Sequence, residues 1–184
     1  MLRRAVFLDR DGVLNRALTR EGKPSAPSSL GEFELLPGVE EACRKLKQAG
    51  FLLVVATNQP EVGRGAMKQE TVEAIHEQLR RLLPMIDRVE VSYDAGNEQP
   101  PSEFRKPRPG LLLRAARELG IDLAASFMVG DRWRDIDCGH AAGCATILID
   151  YEYDEPLRRS PHYRAKSLLE AAELILGLAG KSAA

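Results

Sequence analysis

Short apolar runs alternate with segments of helical periodicity along most of the chain. Ala5 to Leu8 is a continuous apolar run, which suits a strand buried on both faces. A polar stretch with Gly22, Pro24, Pro27 and Gly31 follows, from about Asn15 to Leu36. It is longer than most connections in a compact domain, and loops of that length are usually functional or disordered. Pro37-Gly38 then opens a helix, Val39 to Ala49, with Val39, Ala42, Cys43 and Leu46 on one face and Gly50 in the C-terminal cap position. Phe51 to Ala56 is the second apolar run, stopped by Thr57-Asn58-Gln59-Pro60. Val72, Ile75, Leu79, Leu82 and Leu83 stripe a helix from about Gln69 to Leu83.

Val89 to Ser92 is a third strand candidate, and a loop rich in Pro, Gly and Asn runs from Asp94 to Pro109. A helix from Gly110 to Leu119, a strand at Phe127–Val129, a helix at about Asp135–Ala142 and a strand at Ala145–Ile149 complete the alternation. A polar connection rich in Tyr and Arg then leads to an apolar-striped helix, Leu168 to Leu178. This rhythm predicts a doubly wound, Rossmann-like α/β fold, a parallel sheet covered by helices on both faces. In such sheets ligands bind beyond the carboxyl ends of the strands, so the strand-to-helix junctions are where chemistry is read.

A length of 184 residues favours one domain over the whole chain, with a long loop at about 15–36 and a terminal helix at about 166–179. Hydrophobic residues make up 44% and charged residues 29%, too apolar for disorder. Lys+Arg number 26 against 27 Asp+Glu, a net charge of −1, which argues against a dedicated nucleic-acid or membrane-surface binder. Cys43, Cys138 and Cys144 are odd in number and lack CxxC spacing, so neither a disulfide framework nor a Cys-based zinc site is visible. The N-terminal apolar run spans only four residues before Asp9, whereas a signal peptide needs about 7–15 apolar residues. A cytoplasmic protein is expected, and a monomer, since nothing in the chain calls for a partner subunit.

Asp9-Arg10-Asp11-Gly12 sits at the first junction. Two acids two apart at a strand end point to the same side, and Gly12 lets the chain turn sharply after them. At 4 Å and an effective dielectric near 20, such a like-charge pair costs about 4 kcal/mol, so a cation or a proton is needed. A divalent metal on oxygen ligands would supply the first, and a general-acid role for one Asp would use the second. An isolated DxD also occurs as a capping turn. Thr57-Asn58 ends the second strand with hydrogen-bond donors, in itself a weak signal. Arg105-Lys106-Pro107 offers a point charge suited to phosphate, although a solvated basic pair is the commoner explanation. Gly130-Asp131-Arg132-Trp133-Arg134-Asp135 again places acids directly after a buried strand.

Taken together and in this order, DxDG, TN, K and GDxxxD are specific. The chain resembles the haloacid-dehalogenase-like (HAD) superfamily of phosphohydrolases from Asp9 to Ile149, and within it the heptose bisphosphate phosphatase and histidinol phosphatase group. The carriers of that closer resemblance are Phe7 to Asn15, Thr57-Asn58-Gln59, Arg64-Gly65 and Arg105 to Gly110. The resemblance implies Asp9 as the nucleophile, and Asp11 as the acid that protonates the leaving oxygen and then the base that deprotonates water. It implies Mg2+ held by Asp9, the backbone carbonyl of Asp11, and Asp131. Asp135 would stand behind these, orienting Lys106 or a water on the metal. Thr57 and Lys106 complete the catalytic set, and substrate contacts are expected from Asn58, Arg64, Arg105, Arg108 and Arg132. Arg64 and Arg108 are candidates for a second phosphate, since Arg forks match phosphate oxygens.

The chain has about twenty extra loop residues after Asn15 and no inserted domain, so a capless core walled by loops is expected. Heptose and histidinol members of the group usually carry a structural zinc on the loop before RKP. Here Ser92 to Phe104 contains no Cys or His, and no zinc is expected. His76, His140 and His162 lie elsewhere and read as surface or capping residues. The resemblance leads to a Mg2+-dependent hydrolase of a small sugar phosphate, with a heptose 1,7-bisphosphate as the expected substrate. Histidinol phosphate and a polynucleotide 3′-phosphate are the alternative substrates. The latter is disfavoured by the charge balance and by only 5% aromatic residues. A non-catalytic module that merely binds a phosphorylated ligand is the alternative of another class, disfavoured by four intact charges at Asp9, Asp11, Lys106 and Asp131.

Overall fold

The computed structural model describes residues 2–20, 23–97, 100 and 102–181. Glu21 and Gly22, in the long loop at about 15–36, and Glu98, Gln99 and Pro101, in the loop from Asp94 to Pro109, lie outside the described residues. Six parallel strands form the sheet: β1 (Ala5–Leu8), β4 (Leu52–Asn58), β5 (Arg88–Ser92), β6 (Phe127–Gly130), β7 (Ala145–Ile149) and β8 (Tyr163–Ala165). Their order is β5-β4-β1-β6-β7-β8, so the chain winds outward from β1 first on one side and then on the other. The reversal beside β1 opens the crevice in which such sheets bind ligands.

Alternation along β1 feeds two separate cores. Val6 and Leu8 join Val39, Cys43 and Leu46 of α1 (Val39–Gln48), Leu79 of α3 (Gln69–Leu82), and Ala171 and Ile175 of α6 (Leu168–Lys181). Ala5 and Phe7 face the other way, onto Leu111, Leu112 and Ala115 of α4 (Gly110–Leu119) and Cys138 of α5 (Trp133–Ala142). All four residues of β1 are fully buried, as its unbroken apolar run requires. The stripe of α6 is spent on this core, against α1 and the sheet. No helix among the described residues is long and apolar enough to cross a membrane.

Four short elements escape the hydrophobic pattern. The loop after β1 contains an antiparallel hairpin, β2 (Leu18–Arg20) with β3 (Lys23–Ser25). Its strands are three residues long, polar and marked by Pro24, which a two-stranded ribbon tolerates and a central strand would not. Pro60–Gly63 is a single helical turn, α2, with Pro60 in its first position. β8 is three residues at the sheet edge, with no apolar run to announce it.

Candidate active site

The carboxyl ends of β1, β4 and β6 converge on a cleft of about 310 Å³. Asp9, Asp11, Asn58, Arg64, Arg105, Lys106, Asp131 and Arg132 all line it. Gly12 makes this convergence sterically feasible. Its φ is +85°, and a Cβ there would stand 2.2 Å from Asp131 Oδ2. Gly130 does the same for the fourth motif, since a Cβ there would lie 2.1 Å from Asp135 Cβ. Gly12 thus lets the two acid-bearing turns pack together, and Gly130 lets Asp135 of α5 fold back against the end of β6.

Lys106 is buried, and its ammonium is held as a tripod. Nζ lies 2.9 Å from Asp9 Oδ1 and 2.6 Å from Asp135 Oδ1, and donates to the Ala56 carbonyl at 2.7 Å. Burial alone would push this lysine down, but Asp135 and Asp9 more than reverse that and raise it above its ordinary value. It stays charged. Asp135 has a second anchor, accepting from Arg132 N–H at 3.0 Å, so both its oxygens are engaged in orienting neighbours. Asn58, expected to donate to substrate, spends its amide on the Lys106 backbone. Nδ2 donates to the Lys106 carbonyl and Oδ1 accepts from its N–H, each at 3.0 Å. Asn58 therefore fixes the lysine while bordering the cleft.

Asp9, Asp131 and Asp135 bring ligand atoms within 4.8 Å of one another. Three carboxylates face one ammonium, and the physical consequences are visible in their acidity. Burial pushes Asp9 up, Lys106 pulls it back, and Asp135 and Asp11 add to the rise, leaving it at about 6. Burial, then Asp9 and Asp135, holds Asp131 well above the usual carboxylate range. Asp131 Oδ1 is buried without a hydrogen-bond partner among the described residues. An orphaned carboxylate oxygen inside an electronegative cluster is what a hard divalent cation fits, through oxygen ligands.

Asp11 is held differently. It accepts from Arg10 Nε at 3.1 Å and Nη2 at 3.0 Å, from Asn15 Nδ2 at 3.0 Å and from Gln59 Nε2 at 2.8 Å. Gln59 Nε2 also donates to Thr57 Oγ1 at 2.9 Å, which leaves the Thr57 hydroxyl hydrogen available to another acceptor. Arg10 is fully buried, and its Nη1 meets His76 Nε2 at 3.1 Å. Arg can only donate, so Nε2 accepts and the imidazole is neutral. Burial first, then the Arg10 and Arg80 charges, pushes His76 down to about 3.

His76 is thus neither a surface nor a capping residue. Its place on the inner face of α3 puts it against Arg10, a contact that local spacing does not reveal. His140 and His162 do lie away from the cleft, their rings tilted by 32° with centroids 4.6 Å apart. Between pH 6.5 and about 3 the unfolded chain takes up a proton at His76 that the folded chain refuses. Stability is therefore lost as pH falls below 6.5. In His76→Gln that contribution is gone, and its unfolding free energy should drop less steeply than wild type, by about 1 kcal/mol between pH 6.5 and 5.5. Urea midpoints at the two pH values check this, and parallel curves would contradict it.

The arginines divide. Arg64 and Arg105 border the cleft, anchored by donating to the carbonyls of Ala95 at 3.1 Å and Asp94 at 2.7 Å. Arg132 forms a two-pronged pair with Glu155 at the rim. Arg108 is exposed and does not line the cleft, because the turn closed by its N–H donating to the Arg105 carbonyl leaves it outside. Reading along the sequence also missed Arg134, which lines the same wall, and Tyr151, whose hydroxyl donates to the Gly12 carbonyl at 2.9 Å. Arg134 lies inside the fourth motif, and that position was the available signal. Tyr151 had none.

A HAD-hydrolase-like family model matches residues 103–171. The D-glycero-D-manno-heptose-1,7-bisphosphate 7-phosphatase of Thermosynechococcus vestitus is 35% identical, over 95% of this chain and 96% of its own. The D-glycero-beta-D-manno-heptose-1,7-bisphosphate 7-phosphatase of Yersinia pestis is 37% identical over 79% of each chain. The D,D-heptose 1,7-bisphosphate phosphatase of B. bronchiseptica, solved with magnesium and phosphate, superposes with a TM-score of 0.80 at 30% identity. That match covers 95% of this chain and 99% of the other. With identity of this order over nearly its whole length and a superposition at a TM-score of 0.80, the chain belongs to the HAD-like phosphatases, in the heptose bisphosphate phosphatase family.

Proposed function

We propose that this protein hydrolyses the 7-phosphate of D-glycero-D-manno-heptose 1,7-bisphosphate through an aspartyl-phosphate on Asp9. The observation that carries the reading is the Lys106 tripod, which fixes a nucleophilic carboxylate beside a permanent cation at the floor of an arginine-walled cleft. A carboxylate approaching a phosphate dianion meets strong repulsion, and preorganised positive charge offsets it. Asp9 attacks phosphorus as the ester P–O bond breaks, and Asp11 gives its proton to the departing sugar oxygen. Asp11 then takes a proton from water, whose oxygen attacks phosphorus and releases phosphate with Asp9 restored. The Thr57 hydroxyl and Lys106 hold the transferring oxygens. Arg64 and Arg105, with Arg132 and Arg134 at the rim, suit a second phosphate.

Asp9, Asp131 and the Asp11 carbonyl would hold Mg2+, which when bound neutralises charge on the cluster and on the phosphoryl group. EDTA should therefore remove activity to background and Mg2+ restore it. The panel to run is both anomers of the heptose bisphosphate, histidinol phosphate, other sugar phosphates and a 3′-phosphorylated oligonucleotide. A kcat/KM preference for one heptose bisphosphate anomer is expected. Preference for another ester would sink the substrate assignment, and turnover undiminished in EDTA would sink the metal. The loop composition from Ser92 to Phe104 leads us to expect no stoichiometric zinc in the same preparation.

A further inference from the structure

We infer that His76, through Arg10, is a positioning residue for the acid–base group Asp11. The inference rests on the general-acid role read for Asp11 above. Arg10 grips Asp11 along one side, with Nε and Nη2 on the carboxylate, while its remaining nitrogen Nη1 points to His76 Nε2 at 3.1 Å. The guanidinium is planar, so fixing Nη1 fixes the plane in which Nε and Nη2 present themselves to Asp11. His76 sits on α3, whose Val72, Ile75 and Leu79 are fully buried, so the acceptor is set by a rigid element rather than by the loop that carries Asp11.

Packing alone does not account for a histidine here. Its Nδ1 is buried with no hydrogen-bond partner among the described residues, a cost that an apolar side chain of similar size would avoid. The other nitrogen supplies the acceptor that Arg10 needs. Asn15 and Gln59 hold the carboxylate directly from two further directions, but neither touches the far end of Arg10 among the hydrogen bonds described. Without the His76 contact the guanidinium can rotate about its own stem, and the Asp11 carboxylate turns with it. A general acid displaced by a fraction of an ångström matters most when the leaving oxygen is strongly basic.

The test is kcat/KM for phenyl phosphate and 4-nitrophenyl phosphate with full-length wild type, His76→Phe, His76→Gln, His76→Asn and Asp11→Asn. Phenoxide needs its proton far more than 4-nitrophenolate does. His76→Phe should lose about tenfold on phenyl phosphate and less than about twofold on the nitrophenyl ester, with KM unchanged for both. His76→Gln, which can place its carbonyl oxygen where Nε2 was, should recover to within about threefold of wild type, and His76→Asn, whose shorter reach cannot, should not. Asp11→Asn should show the same ester selectivity, more strongly. Equal losses on the two esters, no loss, or Gln no better than Asn would overturn the inference while leaving Asp11 in its role. If His76→Phe does not fold, the comparison of Gln with Asn decides in the same way. Absence of ester selectivity in Asp11→Asn would overturn the general-acid reading itself, and this inference with it.

Discussion

Asp9→Asn is expected to be a folded protein without turnover. The amide oxygen is a poor nucleophile and cannot carry the phosphoryl group as a stable acyl phosphate, so kcat should fall by about four orders of magnitude or more, in line with removal of a covalent nucleophile. The fold should not suffer. Asp9 is one of three clustered carboxylates, pushed up to about 6 by burial and by its acidic neighbours, and losing its charge relieves repulsion. Lys106 keeps Asp135 and the Ala56 carbonyl as partners. We therefore expect a melting temperature at or above that of wild type. Phosphate release, acid-trapped phosphoenzyme and a melting curve settle the matter together. Substantial turnover would rule out Asp9 as nucleophile, and an unfolded variant would show that its structural part has been underestimated.

Lys106→Met should cost both chemistry and stability. Methionine fills much of the lysine volume but leaves Asp9, Asp131 and Asp135 facing one another, with the Ala56 carbonyl losing its donor. Breaking a buried ion pair by removing one partner destabilises by about 3–5 kcal/mol. Removal of a fixed charge aimed at the reacting group lowers kcat by about 10²–10³-fold. The stability deficit carries a sign with pH. The exposed repulsion exists only while the acids are ionised, and Asp9 already titrates near pH 6 with Lys106 in place. Without the ammonium its carboxyl rises further, so the deficit should be larger at pH 8 than at pH 5. Urea unfolding at the two pH values reads this directly. A deficit independent of pH would mean that lost packing, and not the acid cluster, is responsible.

These two variants bear on residues that could be found without coordinates, and the reason is physical. Acids at the ends of continuous apolar strands are expensive, and they stand out against the runs Ala5–Leu8 and Phe127–Val129 that deliver them. The βαβ alternation likewise follows from a period of two switching to 3.6, and every strand buried on both faces announced itself. What stayed hidden was short or at an edge: the hairpin Leu18–Ser25, the turn Pro60–Gly63 and the strand Tyr163–Ala165. Three or four residues cannot establish a period, and an edge strand buries too little to need an apolar run.

The fold class and the acids proposed for catalysis, Asp9, Asp11 and Asp131, stand out in the order of residues because each acid follows directly on a buried apolar strand, and Lys106 stands out by the motif around it. Partnership is different. That Asn58 clamps the Lys106 backbone, that Arg108 faces away while Arg134 faces in, and that His76 reaches Arg10 across 66 positions depends on how separate elements pack. Side-chain hydrogen bonds extend about 3 Å, and only close packing of α3 and the Lys106 turn against the ends of β1 and β4 brings those donors and acceptors within that reach. Which acids gather at the strand ends is written in the order of residues, and close packing decides which neighbours make burying them, and Arg10 beside them, tolerable.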